Sequence, residues 1–491
     1  MILTLLGFLI APTFLAAVEP SCTTASGDAT AVLRRAAAVT GMDRATSAGL
    51  ALRTRGFDIE SQDYQSDRSY PPFLSSVGTL QTWYAPSAGI ERRAVHESMG
   101  GYDFPGPTTI GDERATYAIR DTMLVPNEEL HSAAYVTRPL NAWAVLGDWI
   151  RGGGARVTAR CMYRDYPRLV LERTGPRGKE QLFIDEKSGF PVKLDRVEPH
   201  YLWGQVHAEY VYSTWTRVGN GAVPGVSFRL VDGRTNVERT IGSVTLVPLD
   251  STPRLTIPSG VGAMRYGTAA FLVGSRPDTT RVGAHAYVLR NAGYREFVTL
   301  ARDTVFLFDA TQGEERARND SSWIATLFPG RHPIVLVVTD LAWPHIAGVR
   351  FWVARGATVV AHRAARPMLE SVSERKWTLM PDALERNRGR ARLRLVPVSD
   401  TLRLAGGDVL VFAIDGVASE VALAGFDQTN RFLWASDFIQ SADEPTMYLD
   451  EVCRAVARVH RTPERAGAEH LSLTAWTKLR ALASCVGDAG S

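Results

Sequence analysis

The chain has 491 residues, of which 45% are hydrophobic and 22% are charged. This composition favours a folded globular protein over a disordered one, and the length predicts two to four domains. With 55 basic and 52 acidic residues, the formal net charge is only +3. That balance excludes a field strong enough to favour nucleic acid as a partner.

The first 20 residues predict a signal peptide or an N-terminal anchor. Residues 1–18 form an apolar run, and the small residues Ala16 and Ala17 provide a cleavage site. No later stretch of the sequence is long and apolar enough to span a bilayer. We therefore expect an exported protein, periplasmic or secreted, with no stable membrane span beyond an N-terminal anchor.

Residues 27–250 predict a β-rich domain. It opens with a helix over residues 27–40, where the apolar spacing is helical and alanine is abundant. From about residue 52, alternating segments such as RLVLERT, EQLFID and VHAEYVYSTWTRV are separated by turns rich in glycine and proline. This pattern is typical of an antiparallel meander or an open barrel. Prolines and a glycine near its end indicate a linker over residues 251–281.

The pattern changes in residues 282–491, where strands and helices alternate. The segments HAYVLRN, REFVTLA and DTVFLFDA predict strands, and GEERARNDSSWIATLFPG predicts a helix. Residues 334–338 are an uninterrupted apolar run, typical of a strand buried on both faces. A helix over 346–355 and a strand over 357–362 follow, and further strands and two helices close the chain. This order predicts an α/β layered domain.

Four cysteines are widely spaced, at Cys22, Cys161, Cys453 and Cys485. Because the sequence has no C-x-x-C pair, a cysteine-based zinc knuckle is not expected. Export would permit disulfides, and Cys453–Cys485 is the most plausible pair because both residues lie in the C-terminal helical segment. Free buried thiols are the alternative.

Four segments of the second half carry a family resemblance: TVFLFDATQGEERA, LVVTDLAWPHIAGVRFWVARGATVVAHRAARPMLE, RFLWASDF and PERAGAEHLSLTAW. They resemble parts of the metallo-β-lactamase-fold hydrolases, in particular exported members with a β-rich N-terminal domain. The segments match the family's Asp-bearing turn, its T-H-x-H-x-D-H-x-G-G metal loop, the strand with its bridging Asp, and the segment of its last metal-binding His. The resemblance implies an α/β fold, an αββα metallo-β-lactamase-like sandwich, for residues 282–491.

The resemblance also implies which metal ligands of the loop are kept. The family's first loop His is Asp340 here, and its second is Ala342. The loop Asp is replaced by Pro344, whereas the last loop His is kept as His345.

Later segments supply the remaining ligands of the family. The bridging Asp is kept as Asp437 and the last His as His470. The family's G-N-x-H-x-D segment reads D-G-V-A-S-E here, so that its His corresponds to Ala418 and its acid to Glu420.

This uneven loss predicts a degenerate metal site. His345, Asp437 and His470 would form a facial set of two imidazoles and one carboxylate that can hold one divalent metal, with zinc as the best match. Asp340 or Glu420 is a candidate for an extra ligand. The second ion and the loop acid that orients the hydroxide in the family are missing, so that a single weakly held ion would have to lower the pKa of a water.

Two functions are compatible with such a site. The first is a pseudo-enzyme without a cofactor, in which the remaining residues are leftovers hydrogen-bonded to their neighbours. The second is a single-metal hydrolase with weak activity toward a small-molecule ester, amide or thioester. The sequence alone leaves open whether the protein is an enzyme.

The first half resembles, more weakly, the open β-barrels of periplasmic lipoprotein carriers. The segment LFIDEKSGFPVKLDRVE is similar to their D-x-x-T-G-x-P hairpin. The resemblance implies an antiparallel half-barrel whose apolar concavity could take acyl chains. The alternative function is therefore an exported binding protein for a lipid or another apolar ligand. A β-domain that only covers one face of the α/β domain is the simpler structural role.

The metal loop is apolar for a physical reason. Without an ion to balance them, unpaired polar groups at this place would each cost on the order of 1–3 kcal/mol. Ala342 and Trp343 avoid that cost, and Pro344 stiffens the turn. We expect Trp343 to pack in the core rather than to line a pocket for an apolar ligand.

Overall fold

The computed structural model of the protein describes residues 21–484 except for the gaps 62–64, 67, 72, 100–101, 107, 121–122, 127–136, 164–165, 176–177, 201, 258–275, 292, 417–418 and 446–447. The predicted signal peptide or anchor at residues 1–20, most of the predicted linker, Ala418 and Cys485 lie outside the described residues.

The described part of the first half is dominated by β-strands. These are β1 (Ser21–Thr24), β2 (Leu50–Ser61), β3 (Gln65–Ser66), β4 (Ser75–Ala85), β5 (Ile90–Met99), β6 (Tyr102–Pro105), β7 (Thr108–Gly111), β8 (Thr116–Arg120), β9 (Met123–Pro126), β10 (Arg156–Tyr163), β11 (Tyr166–Gly175), β12 (Gly178–Asp185), β13 (Pro191–His200), β14 (Gly204–Val218), β15 (Gly221–Val231) and β16 (Arg234–Pro248). All of them except β3 join in one sheet, in the order β1-β10-β11-β12-β13-β14-β15-β16-β2-β4-β5-β7-β8-β9, with β6 also paired to β5. The pairings are antiparallel, as the alternating segments predict. The half-barrel shape remains a prediction.

Three helices accompany this sheet: α1 (Ala29–Thr40), α2 (Met42–Ser47) and α3 (Ala142–Gly152). Helix α1 confirms the helix predicted near the start of the domain. The Asp28 carboxylate caps it by accepting from the backbone N–H groups of Thr30 and Ala31, at 2.8 and 3.1 Å. The helix ends at Gly41, whose φ of 78° is left-handed and favours glycine.

Helix α3 lies where the sequence pattern predicted only strands and turns, and that prediction was wrong. Its apolar residues Trp143, Leu146 and Trp149 recur at helical spacing and are buried. Asn141 caps the helix by accepting from the backbone N–H of Trp143 at 3.1 Å. Helices α1 and α3 share one hydrophobic core with strand residues of the sheet and thereby cover that part of its face.

Arginine–carboxylate pairs are buried in the same sheet. Examples are Arg239 with Asp58 at 2.8 Å and Arg196 with Glu198 at 2.8 Å. These side chains are 6% exposed or less. A buried charge is tolerated only when it is paired, and the pair of Arg239 with Asp58 joins the neighbouring strands β16 and β2.

The second half contains two further sheets. The strands are β17 (Asp278–Gly283), β18 (Ala286–Asn291), β19 (Tyr294–Ala301), β20 (Thr304–Phe308), β21 (Ile334–Val338), β22 (Leu341–Ala342), β23 (Thr358–His362), β24 (Arg394–Val398), β25 (Thr401–Leu404), β26 (Val409–Ala413), β27 (Leu423–Asp427), β28 (Phe432–Trp434), β29 (Arg465–Gly467) and β30 (Thr474–Ala475). One sheet has the order β17-β18-β19-β20-β21-β23-β24, and β20, β21, β23 and β24 are parallel. The other has the order β25-β26-β27-β28-β29-β30, with β28 and β29 parallel.

The helices of this half are α4 (Glu314–Leu327), α5 (Trp343–Ile346), α6 (Val349–Ala354), α7 (Arg366–Glu374), α8 (Ala383–Arg386), α9 (Leu449–Arg458) and α10 (Trp476–Leu482). Side chains of both sheets share one core that includes Phe308, Val337, Val411 and Trp434. Helices α4, α6 and α7 share a second core with the first of the two sheets. Helices α9 and α10 share a third core with the other sheet.

The helix predicted over 346–355 is interrupted, and that prediction was wrong in its bounds. The break falls at Ala347 and Gly348, between α5 and α6. The Gly348 N–H donates to the Ala310 carbonyl at 2.7 Å. A Cβ at Gly348 would lie 3.0 Å from that oxygen and 3.2 Å from the Cβ of Ala317. The close approach of the loop after β20 therefore favours glycine here, and the Gly348 N–H that donates to Ala310 is not available to continue the helix.

The three cysteines among the described residues are disulfide-bonded. Cys22 and Cys161 face each other on the paired strands β1 and β10 and form a disulfide. The spacing of the cysteines did not predict this pair. Cys453 is also disulfide-bonded, which rules out the free thiol for this residue. Its predicted partner, Cys485, lies outside the described residues.

Within the described residues, no helix combines the length and the apolar character that crossing a bilayer requires.

Candidate metal centre

The candidate site lies where strands of both sheets of the second half end. Asp309 follows β20 and Thr339 follows its parallel neighbour β21, while His345 lies in α5 just beyond. Asp437 follows β28, and Glu469 follows the parallel neighbour β29. Because the carboxyl ends of parallel strands meet at the same edge of a sheet, residues far apart in the chain come together there.

His345 is fully buried between two carboxylates. Its Nδ1 lies 3.3 Å from Asp309 Oδ2, and its Nε2 lies 3.5 Å from Glu469 Oε2. Neither ring nitrogen makes a hydrogen bond of acceptable geometry with a described residue. Both carboxylate oxygens of Glu469 also lack such a bond, although the residue is 0% exposed. Buried polar atoms without a hydrogen bond are rare in a folded core, so their presence here needs an explanation.

Asp309 is held firmly in place on the far side of the imidazole. Its Oδ1 accepts from the N–H and the hydroxyl of Thr339, at 3.0 and 2.6 Å. Its Oδ2 accepts from the indole N–H of Trp434 at 2.9 Å. The Thr339 hydroxyl also bonds the Ser436 hydroxyl at 2.7 Å, which links the loop after β21 to the loop after β28. A carboxylate fixed in this way orients the His345 ring.

Three side chains place one potential ligand atom each within 4.8 Å of the other two: His345, Asp437 and Glu469. His470 adjoins this group, with its Nε2 at 3.5 Å from Asp437 Oδ1 and at 3.3 Å from Glu469 Oε2. The side chains of Asp437 and His470 are 29% and 39% exposed, whereas His345 and Glu469 are buried. The cluster is therefore closed on the His345 side and open to solvent on the His470 side.

The surroundings raise the pKa values of residues in and beside the cluster, and so favour their protonated forms. Burial opposes the charge on His345, but the carboxylates of Glu469 and Asp309 outweigh it and hold its pKa well above the usual range. Burial, together with the negative charge of Glu469, raises the pKa of Asp437 to about 7. Burial also raises the pKa of Asp340 to about 6. The ion-free cluster thus holds protons that a bound cation would displace.

The distances fit a cation. Two ligand atoms that bind one tetrahedral zinc ion, each about 2.0–2.2 Å from it, lie roughly 3.4 Å apart. The separations from His345 to Glu469, from Glu469 to His470 and from His470 to Asp437 are 3.5, 3.3 and 3.5 Å. They match this value and exceed the usual length of a charged hydrogen bond, about 2.7–2.9 Å. The ligand atoms of His345, Asp437 and Glu469 lie within 4.8 Å of one another and are of the kinds that hold a divalent metal, with His470 beside them.

The structure brings some of the predicted site residues together and separates others. His345, Asp437 and His470 converge, as described above, although His470 lies beside the closest group rather than within it. Asp340 is buried in the loop, where its carboxylate accepts from the backbone N–H of Ala342. Glu420 pairs with Arg68 at 3.1 Å and takes no part in the cluster. Whether any of these residues binds a metal remains a prediction.

Glu469 was missed by the sequence reasoning. It precedes His470 in the chain, and the two side chains differ in exposure, with 1% for Glu469 and 39% for His470. The backbone N–H of Glu469 donates to the carbonyl of Ser436 at 2.9 Å, and this bond sets the residue against the loop after β28. The available signal was an acidic residue two positions after a short strand.

The loop that contains Trp343 packs against the core, as predicted for this residue. Trp343 is 4% exposed and contacts the ring of Tyr294 edge-on, with ring centroids 5.7 Å apart. Tyr294 in turn lies 5.4 Å from the ring of His470. The two residues of β22 pair with β3 of the first half, so that Leu341 faces Ser66 and Ala342 faces Gln65. The loop is thus held by the core on one side and by the first half of the chain on the other.

No family model matches the sequence, and no curated protein matches it either. Solved structures that resemble part of the chain are metallo-β-lactamases. The DIM-1 enzyme is 13% identical, with a TM-score of 0.33 over 43% of this chain and 96% of that one. The enzyme from Pontibacter korlensis is 12% identical, with a TM-score of 0.33 over 42% and 96%. The enzyme from Erythrobacter litoralis is 11% identical, with a TM-score of 0.33 over 41% and 92%. Similarities of this size carry no argument about activity, which has to come from the residues of the chain itself.

Proposed function

We propose that the second half is an αββα sandwich that binds one divalent metal ion, with zinc as the best match, and uses it for weak hydrolysis of a small ester, amide or thioester. His345, Asp437 and Glu469 would hold the ion, and His470 would complete the set on the open side. Two sheets that share a core, each with helices in a separate core beyond it, support the layered arrangement.

One observation carries the proposal. Four buried polar atoms, the two ring nitrogens of His345 and the two carboxylate oxygens of Glu469, have no hydrogen bond with the described residues. Leaving a buried polar group unsatisfied costs about 1–3 kcal/mol, and more when the group is charged. Protonation of His345 and His470 relieves part of this cost by ion pairing, but the pairs lie 3.3–3.5 Å apart, longer than a charged hydrogen bond. A cation held by His345 Nε2, Asp437 and Glu469 would account for Nε2 and for the Glu469 carboxylate, while Nδ1 stays directed at Asp309.

The residues around the cluster have separate tasks in this proposal. When bound, the ion would supply a Lewis acid and lower the pKa of a water. Asp309 orients the imidazole of His345 through its Nδ1. His470 would complete the set through Nε2 on the side where solvent reaches the cluster. The ring of Tyr294 packs against the rings of both Trp343 and His470, and would limit the access of water to the cluster from that side.

We expect the activity to be weak. The loop residues at the positions of the family's second His and its Asp are Ala342 and Pro344, which offer no ligand. A second ion would therefore lack donors from this loop, and a single ion would have to do the work that two do in the resembled family. The remaining alternative, a pseudo-enzyme, predicts the same fold without metal-dependent turnover.

The other predicted function, binding of a lipid by the first half, finds no specific support in the described residues. The helices α1 and α3 fill the face of the sheet that they cover. Elsewhere the sheet buries arginine–carboxylate pairs, such as Arg239 with Asp58. We also propose export of the protein, and the disulfide between Cys22 and Cys161 supports it because disulfides persist in oxidising compartments.

A turnover assay tests the proposal. Protein made metal-free with a chelator is titrated with zinc, and the hydrolysis of p-nitrophenyl acetate and of a chromogenic β-lactam is followed. We expect a rate that rises with zinc until one equivalent is bound and that His345→Ala abolishes. The matched control His332→Ala changes a half-buried histidine away from the cluster that contacts the Asp303 carbonyl at 2.9 Å, and it should leave the rate unchanged. A rate that does not depend on zinc, or one that survives His345→Ala in folded protein, contradicts the proposal.

A further inference from the structure

A second candidate site lies in a strongly basic part of the chain. The sequence RNRGRARLR, residues 386–394, has an arginine at every second position. Residues 363–394 contain nine basic and four acidic side chains, an excess of five, whereas the whole chain has an excess of only three. The arginines at 386, 388, 390, 392 and 394 are all exposed. The segment therefore concentrates positive charge on one part of the surface.

A cavity of about 460 Å³ opens in this segment. This volume lies within the range of about 300–1,000 Å³ that is usual for small-molecule sites. Exposed arginines line it, together with apolar side chains that are buried or half-buried, namely Leu384, Ala391, Leu393 and Leu395. The cavity thus offers an apolar surface beside positive charge.

The charges of the lining point to a ligand with a single negative charge. Arg366 pairs with Glu370 at 3.0 Å, and Arg388 donates from Nε to Glu385 at 3.0 Å. The described residues provide no ion-pair partner for Arg392. With Glu374 in the lining and Glu385 beside it the charges balance, and Arg392 is the arginine of the lining that is left to meet an anionic head. A polyphosphate would meet repulsion from these carboxylates, whereas one carboxylate group needs only the charge of Arg392.

An orphaned hydroxyl supports a ligand at the same place. Ser373 lines the cavity, and its Oγ is withdrawn from solvent without a hydrogen-bond partner among the described residues. A hydroxyl in this state costs about 1–3 kcal/mol unless a ligand or a water satisfies it. Its position in the same lining as Arg392 gives an anionic head both a charge and a hydrogen-bond donor.

We propose that this cavity binds a small amphiphilic monoanion, with a carboxylate head at Arg392 and Ser373 and an alkyl chain against Leu384, Leu393 and Leu395. None of these residues belongs to the candidate metal centre, so the test of this site does not depend on whether the hydrolase proposal is correct. It also differs from the lipid site that the sequence suggested, since it lies in the second half of the chain and outside the large sheet.

Isothermal titration calorimetry of the full chain with decanoate tests the proposal. Acetate has the head alone, and decyltrimethylammonium carries the opposite charge on the same chain. We expect one decanoate per chain, bound at least about tenfold more tightly than either of the other two compounds, because head and chain both contribute. Raising the salt concentration should weaken the binding through screening.

Variants locate the site. Arg392→Glu should weaken decanoate binding by at least about tenfold, and Ser373→Ala by a smaller factor. The matched control Arg403→Glu changes an exposed arginine on β25 and should leave the affinity unchanged. Equal binding of acetate or of decyltrimethylammonium, or an unchanged affinity of folded Arg392→Glu, overturns the proposal. Tighter binding of duplex DNA than of decanoate, lost in Arg390→Glu, also overturns it, because the basic segment would then serve a polyanion.

Discussion

The substitution Glu469→Gln separates a metal site from a buried ion pair. Gln keeps the size of the side chain and removes its charge. If Glu469 is one of about four ligands of an ion whose total binding free energy is about 10–16 kcal/mol, its carboxylate contributes roughly 3 kcal/mol. The affinity for zinc should then fall by about a hundredfold. At a fixed excess of zinc the stabilisation of the folded state falls by about 2.7 kcal/mol.

Thermal melts with and without zinc measure this change. A loss of about 2.7 kcal/mol corresponds to a Tm lower by roughly 5–10 °C for a domain of this size. Metal-free Glu469→Gln should itself lose stability, because removing one partner of a buried ion pair is destabilising, so the zinc-dependent shift is compared within each variant. The matched control Glu464→Gln changes a side chain that is 56% exposed and pairs with Arg431. It should keep the full zinc effect. A wild-type Tm that does not respond to zinc would refute the metal site and favour an ion pair.

Three further outcomes are expected. Asp309→Asn should weaken zinc binding by about 10–100-fold, measured by competition with a chromophoric chelator, because the orienting charge behind His345 is lost; an unchanged affinity would deny that role. The metal-free protein should lose stability as the pH rises from about 5 to 8 in calorimetric melts. The folded pKa of Asp437, about 7, lies above its usual value, and the pKa of His345 is also raised. The folded protein therefore binds more protons than the unfolded chain over this pH range. The stability that these protons contribute is lost as the pH rises. A stability that increases over this range would contradict those shifts. Replacing Cys22 and Cys161 by serine should cost about 2–5 kcal/mol in denaturant unfolding, since the bond closes a loop with a sequence separation of 139 residues; a cost below about 1 kcal/mol would show that the bond does not constrain the unfolded chain.

The strands that position the site follow directly from the sequence. The buried runs of β21 and β23 are uninterrupted apolar segments of the kind that parallel strands require. The residues after such strands must meet at one edge, so that Asp309 and His345 were within reach of the sequence analysis. The family resemblance added Asp437 and His470, which no periodicity could have connected with them.

The orientation of neighbouring side chains could not be predicted. Glu469 and His470 are adjacent, and only the hydrogen bond from the Glu469 backbone to Ser436 decides which of them is buried. Strand β13 shows the same limit, since Arg196 and Glu198 are buried while Val197 between them is 41% exposed. A pattern that assigns apolar residues to the interior gives the wrong face there. Arg196 and Glu198 are buried because their charges are paired with charges on other strands, and the sequence does not show which strands are neighbours.

The central claim is tested most directly by elemental analysis of the full chain purified without a tag and then dialysed after addition of zinc. The account predicts about one zinc per chain in the wild type and a clear loss in His345→Ala that remains folded. Less than about one-tenth of an equivalent of any transition metal in the wild type would contradict the account.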